Sequence, residues 1–168
     1  MATWCGDTVA GMMRFNHMEL TFPRGTLTAE FRADVDAFYG SVFGWRSIDT
    51  PVMGQSCHLL MLDDHVGQFL LLAESDTPLA SPGYDHLGLL QESREEVDTL
   101  LAACLAYQNK DDRLRVKQYA DDPTPNMTVH AFYVKYLLPI WFDVQSMTRH
   151  DGVPFQKWTY QTPVTAPA

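Results

Sequence analysis

Cysteine is scarce in this chain of 168 residues, and the few cysteines form no pairing pattern. They lie at Cys5, Cys57 and Cys104, an odd number without a C-x-x-C motif. A disulfide framework normally needs an even set of cysteines in an oxidising compartment. A reducing compartment is the simpler interpretation, and we expect a cytoplasmic protein.

Basic residues are also few, since 12 Lys and Arg stand against 21 Asp and Glu and give a net charge of -9. Nucleic acids and anionic membranes both attract proteins through clusters of Lys and Arg. No apolar run approaches the roughly 18 residues that a membrane-spanning helix needs. The N-terminus lacks the basic and apolar parts of a secretory signal. We therefore expect no nucleic acid and no membrane as partners, whereas the charge says nothing about a small neutral or metal-bound substrate.

Several glycine motifs are missing as well. The sequence contains no G-x-S-x-G, no G-x-G-x-x-G and no phosphate-binding loop. These motifs mark hydrolase nucleophiles, dinucleotide sites and nucleotide sites respectively. None of those three functions has support in this sequence.

The sequence does contain an internal repeat. Residues 17–20 read His-Met-Glu-Leu and residues 86–89 read His-Leu-Gly-Leu, each within a run of strand-forming residues. After each copy, apolar residues recur at helical spacing, over about 28–43 and again after a Ser93–Glu96 capping box. Three further strand-like segments follow each helix. The repeat predicts the order βαβββ, linker, βαβββ.

The same pattern divides the chain into regions. We predict a leader, a central domain of two modules and an extension: 1–13, 14–147 (module one 14–75, module two 84–147) and 148–168. The extension contains Phe155, Trp158 and Tyr160, and disordered segments rarely have this aromatic density. Part of it is expected to pack on the domain or on a partner subunit.

The order of these features resembles the vicinal oxygen chelate superfamily, which includes glyoxalases, bleomycin-resistance proteins and extradiol dioxygenases. The most specific part is Phe-Tyr-x-x-Val-Phe-Gly-Trp at residues 38–45. The resemblance implies an α+β fold in which two βαβββ modules form a curved mixed sheet, a half-barrel, around a pocket. It also implies a homodimer, because family members often pair modules between subunits.

The resemblance implies a metal site too. It maps three ligands onto His17, His86 and Asp143, the last within the apolar segment 141–145. Two imidazoles and one carboxylate suit Fe, Mn, Ni, Co or Zn and leave positions open for substrate. Such a divalent ion would act as a Lewis acid. Asp143 stands where the family usually has Glu.

Some family members take a fourth ligand from the fourth strand of the first module. The repeat alignment puts Leu72 at this position, and leucine cannot bind a metal. Gln68 and Glu74 lie nearby on the same expected strand, so a small shift of register would bring a polar side chain to the site.

Three further residues are catalytic candidates. Glu19 lies two residues from His17 on the same face of a regular strand, where it would serve as a base or support the ligand. His58 and His130 lie on other strands. Each would line the pocket as a general base or, alternatively, face solvent or satisfy local backbone groups.

Two functions remain open from the sequence. The first is a glyoxalase-like, metal-dependent enzyme of the isomerase, lyase, thiol transferase or dioxygenase type acting on a small oxygenated molecule. The second is a metal-free small-molecule binding or drug-sequestering protein, whose acidic balance would suit a cationic ligand. A third hypothesis is a metal-free enzyme that uses the histidines as acid and base.

Overall fold

The computed structural model describes residues 15–63 and 67–154. The predicted leader, His65 and the aromatic residues of the predicted extension lie outside this part of the chain. The described elements follow in the order β1 (His17–Phe22), α1 (Ala29–Phe43), β2 (Arg46–Val52), β3 (Gln55–Met61), β4 (Phe69–Glu74), β5 (His86–Leu90), α2 (Arg94–Gln108), β6 (Arg115–Gln118), β7 (Asp122–Pro123), β8 (Met127–Lys135) and β9 (Trp141–Arg149). Neither helix has the length and apolarity needed to span a membrane.

The strands form two mixed sheets with the same topology. The first has the order β1-β4-β3-β2 and the second β5-β9-β8-β6, with the short β7 paired to β8. In each sheet the first strand runs parallel to the last strand of its module. The predicted α+β fold of two βαβββ modules is confirmed. The two sheets do not close into a barrel, and β7 lies where the sequence predicts only a loop.

Both helices begin at residues with clear capping chemistry, and α1 also ends at one. The Thr28 side chain accepts the Phe31 N–H at the start of α1, and Gly44, at a φ of 71°, ends that helix. The Ser93 side chain accepts the Glu96 N–H at the start of α2. The Glu96 carboxylate in turn accepts the backbone N–H of Glu92 at 2.9 Å, one residue before the position usual for a capping box.

One hydrophobic core joins the two modules. Apolar side chains of both helices and of the helix-facing sides of both sheets belong to a single cluster. At its centre Phe38 and Tyr39 of α1 contact Tyr136 and Phe142 of the second module. The buried Tyr39 hydroxyl donates to the Tyr136 carbonyl at 2.9 Å. Burial of Cys104 in this core raises the pKa of its thiol to about 12.

Strand pairing corrects one detail of the repeat alignment. In both modules the first and last strands pair in the same register, His17 with Phe69, Glu19 with Leu71, His86 with Trp141 and Gly88 with Asp143. The counterpart of Asp143 is therefore Leu71 and not Leu72. A shift of one residue turns a strand side chain to the opposite face, and Leu72 is fully buried in the core.

Candidate functional site

Each sheet has one face against the helices and one face turned away from them, called here its open face. Leu20 and Leu72 pack in the core beneath α1, so strand alternation puts His17 and Glu19 on the open face of the first sheet. Phe142 and Val144 pack in the same core, and Asp143 between them therefore lies on the open face of the second sheet. The open faces therefore hold all four candidates of the edge strands and β9: His17, Glu19, His86 and Asp143.

His86 and Asp143 form the best-defined pair. The Nε2 atom of His86 lies 3.9 Å from the Oδ2 atom of Asp143, too far for a hydrogen bond. The Nδ1 atom of His86 lies 2.8 Å from the Tyr84 carbonyl oxygen. Because a carbonyl only accepts, Nδ1 carries the proton, and in the neutral ring the Nε2 lone pair is directed toward the carboxylate side.

Asp143 is an unusual carboxylate because it is buried without full hydrogen bonding. The residue is 8% exposed, and its Oδ1 atom has no hydrogen-bond partner among the described residues. Burial raises the pKa of Asp143, and the nearby His86 opposes this only in part. Buried polar atoms without partners are rare and often belong to functional sites.

His17 shows the same arrangement at its own ring. It stacks on Phe69 with ring centroids 4.8 Å apart and planes 8° apart. Its Nδ1 atom lies 2.8 Å from the Asn16 Oδ1 atom, and the Asn16 amide N–H₂ donates to the Gly67 carbonyl. That second bond fixes the orientation of the amide, so Nδ1 of His17 is the donor and Nε2 remains open.

The three predicted ligands do not meet within one chain. In the described ranges 15–63 and 67–154, no three His, Cys, Asp or Glu side chains lie close enough together to hold a metal ion. His17 belongs to the first sheet, whereas His86 and Asp143 belong to the second. The strands of both histidines, β1 and β5, are the outer strands of their sheets.

The other two candidate histidines lie on the helix-facing sides of the sheets. His58 is 3% exposed, and its two ring nitrogens lie 2.8 Å from Asp49 of β2 and 2.9 Å from Asp36 of α1. The hydrogen bond from His58, with help from Arg32, lowers the pKa of Asp49. Both nitrogens of His58 are therefore engaged, on the face opposite to His17.

The second module repeats this cluster. The ring nitrogens of His130 lie 2.7 Å from Asp121 and 2.8 Å from Asp98 of α2. Arg94 occupies the place of Arg32, and its contact with Asp121 is the larger cause of the lowered pKa of that carboxyl. Asp36 and Asp98 therefore hold equivalent places on the two helices, each in contact with a histidine of the sheet.

The polar neighbours of Leu72 do not supply a fourth ligand on the His17 face. Glu74 accepts the Leu27 N–H at 2.7 Å, and hydrogen bonds from the Gly25 and Leu27 backbone lower its pKa. Gln68 donates to the Phe15 carbonyl at 3.3 Å. Each side chain is engaged with the backbone of a neighbouring loop or strand end.

Comparison with known proteins identifies the fold. No family model and no curated protein matches the sequence. Among solved structures, the chain is similar to a glyoxalase family protein from Bacillus anthracis, with a TM-score of 0.56, 15% identity, and coverage of 83% of this chain and 98% of that one. It is also similar to the fosfomycin resistance protein FosX from Listeria monocytogenes, with a TM-score of 0.54, 16% identity, and coverage of 83% and 92%.

A third similar structure is a glyoxalase/bleomycin resistance protein/dioxygenase domain from Frankia sp. EAN1pec, with a TM-score of 0.51, 18% identity, and coverage of 81% and 98%. The chain has the vicinal oxygen chelate fold. At this level of identity the likeness establishes the fold alone. A variant of the Listeria FosX has been solved with Mn(II) and 1S,2S-dihydroxypropylphosphonic acid, at a TM-score of 0.51 and 16% identity.

On the vicinal oxygen chelate fold of this chain, aromatic residues surround the His86–Asp143 pair. The Tyr133 ring centroid lies 4.9 Å from that of His86, and Tyr84 packs against Trp141 at 5.3 Å. Tyr119 contacts Tyr133 at 5.0 Å. Most of these residues come from strands β8 and β9 and from the segment before β5, so only the pairing of strands reveals that they meet.

A separate cleft of about 1170 Å³ runs beside β5, between the two modules. Its walls are mainly apolar, from Phe43, Trp45 and Leu62 of the first module and Leu89 and Leu100 of the second. His86 and Asp143 do not line it. The candidate ligands therefore lie outside this cleft.

Proposed function

We propose that the chain is a divalent-metal-dependent enzyme acting on a small oxygenated molecule, with His17, His86 and Asp143 as the metal ligands. The observation that carries the proposal is the His86–Asp143 pair. Its Nε2 and Oδ2 atoms face each other at 3.9 Å, and the Oδ1 atom is buried without a partner among the described residues. An ion bound between the two groups would satisfy both.

The residues fit a metal in a second respect. Metal-binding histidines usually donate their other ring N–H to an oxygen, which fixes the tautomer and the direction of the ring. His86 donates to the Tyr84 carbonyl and His17 to the Asn16 side chain, each at 2.8 Å. His58 and His130 lack this pattern because both of their nitrogens contact carboxylates.

We infer that the site is completed by a second copy of the chain. Pairing β1 of one copy with β5 of another would bring His17 of the partner subunit to His86 and Asp143. Among the described strands, β1 and β5 each pair on one side only, and on the outer side of β1 the Thr21 carbonyl accepts the Leu79 N–H at 3.2 Å. Both histidines open their strands at equivalent register positions. Gly88, the register partner of Asp143, has no side chain, and the Gln145 side-chain amide lies beside it on the same face, 3.1 Å from where a Cβ of Gly88 would be.

When bound, the ion would polarise a substrate oxygen and stabilise negative charge on it. The remaining roles fall to side chains of this chain. The exposed carboxylate of Glu19, on the His17 face, is the proposed base that removes a substrate proton. Tyr133 borders the pair; burial and the Asp143 charge raise the pKa of its hydroxyl, which keeps that hydroxyl a proton donor. We assign His58 and His130 to helix attachment.

Elemental analysis of the purified, untagged protein tests this proposal. The wild-type chain is expected to hold close to one Fe, Mn, Ni, Co or Zn ion per chain, and His86→Ala is expected to hold none. His150→Ala is the matched control, because His150 contacts Thr128 far from the proposed ligands. A wild-type protein that binds none of these ions after dialysis would refute the proposal and favour the metal-free binding protein.

A further inference from the structure

One row of side chains crosses the open face of the second sheet. Strand pairing aligns Lys117 with Tyr133, Tyr133 with Asp143, and Asp143 with Gly88. Directly paired residues lie on the same face of a sheet. Neighbouring strands are about 4.8 Å apart, so the Lys117 and Asp143 backbones are separated by roughly 10 Å, with Tyr133 between them.

The Lys117 ammonium is held by aromatic rings instead of acids. Its Nζ atom lies 4.1 Å from the Tyr84 ring centroid and 4.8 Å from the Tyr119 ring centroid. Contacts with the phenols of Tyr119 and Tyr84 raise the pKa of Lys117. In the described residues, no carboxylate oxygen lies within ion-pair distance of this ammonium. The group is thus a charged cation throughout the neutral pH range.

This absence of an acidic partner is notable in so acidic a chain. Among the described residues, ion pairs with aspartates are formed by arginines that include Arg24, Arg32, Arg94, Arg113 and Arg149. The other lysine of this region, Lys135, donates to the Pro139 carbonyl at 2.8 Å, and burial lowers its pKa. Lys117 therefore provides a positive charge that no described acid neutralises, beside the proposed metal ligands.

We propose, on the basis of the proposed function, that Lys117 binds an anionic group of the substrate. The walls of this anion subsite are the phenol rings of Tyr84, Tyr119 and Tyr133. The substrate class is then a small carboxylate, phosphonate or phosphate that also bears a metal-binding hydroxyl or carbonyl oxygen. A cationic ligand is disfavoured at this subsite by the same charge.

Calorimetric titration with 1,2-dihydroxypropylphosphonate tests this inference, with glycerol as the neutral comparison. The metal-loaded wild-type protein is expected to bind the phosphonate, and Lys117→Gln to bind it at least about tenfold more weakly, because a charge-assisted hydrogen bond is lost. Lys117→Arg retains the charge and should bind the phosphonate more tightly than Lys117→Gln does. Lys110→Gln, which removes an exposed lysine elsewhere, is the control and should match wild type.

The inference would be overturned if Lys117→Gln bound the phosphonate as tightly as wild type, or if the wild-type protein did not bind the phosphonate at about 10 mM. Metal content, measured on the same samples, separates this inference from the proposed function. Normal metal with no effect of Lys117→Gln refutes the anion subsite alone. Lysine-dependent anion binding in a protein that takes up no metal refutes the metal site alone.

Discussion

Four histidines of this chain divide into two kinds by what their ring nitrogens contact. His17 and His86 donate one N–H to a neutral oxygen and leave Nε2 open. His58 and His130 contact carboxylates with both nitrogens. Because all four lie on strands, residue type alone could not separate them in the sequence. The face of the sheet and the partners of each ring together distinguish a candidate ligand from a structural group.

Asp143 provides a prediction at the scale of one side chain. Its pKa is raised by burial, so its ionised form destabilises the fold at any pH above the pKa of an unfolded aspartate. In metal-free protein, Asp143→Asn should therefore raise the free energy of unfolding at pH 7 by about 1 kcal/mol while abolishing metal binding. Urea denaturation with a chelator present measures this.

The pH dependence of that gain provides its control. Below the pKa of an unfolded aspartate both states of the wild type are protonated at Asp143, and the difference from Asp143→Asn should disappear. The difference should grow as the pH rises toward neutrality. If Asp143→Asn were less stable than wild type at pH 7, the carboxylate would have stabilising contacts. That result would contradict the burial of its Oδ1 atom without a hydrogen-bond partner among the described residues.

At the scale of helices and strands, the sequence predicts the repeat well and its register less well. Both helices and the strands of both βαβββ modules occur as expected, because periodic apolar residues and capping side chains are local signals. The error at Leu72 arises because one residue of slip leaves the apolar pattern of β4 nearly unchanged. The strand is apolar on both faces, so only its pairing with β1 defines which residues share the His17 face.

The clusters around His58 and His130, each made of one arginine, two aspartates and the histidine, attach each helix to its sheet. His58→Ala should lower the free energy of unfolding by about 2 kcal/mol, because it leaves Asp36 and Asp49 without their shared partner. His17→Ala is the comparison and should change stability by less than about 0.5 kcal/mol, since His17 is exposed. If His58→Ala and His17→Ala changed the free energy of unfolding equally in urea denaturation, His58 would not stabilise the packing of α1 on the first sheet.

At the scale of the whole molecule, the arrangement of the modules explains why the candidate ligands are apart. Both modules pack their helices into one core, and β1 and β5 are the outer strands of their described sheets. Exposed strand edges tend to pair with other chains. A homodimer that pairs these edges would cover them and join His17 to the His86–Asp143 pair, which no sequence pattern can show directly.

The most direct measurement is the metal content of a heterodimer made from His17→Ala and His86→Ala chains, co-expressed with different tags and purified through both. Each homodimer of these variants lacks one ligand at every site and should bind no metal. The heterodimer contains one site with His17 from one subunit and His86 and Asp143 from the other, so it should bind about one ion, against about two for wild type. A purified heterodimer without metal would contradict a site shared between subunits.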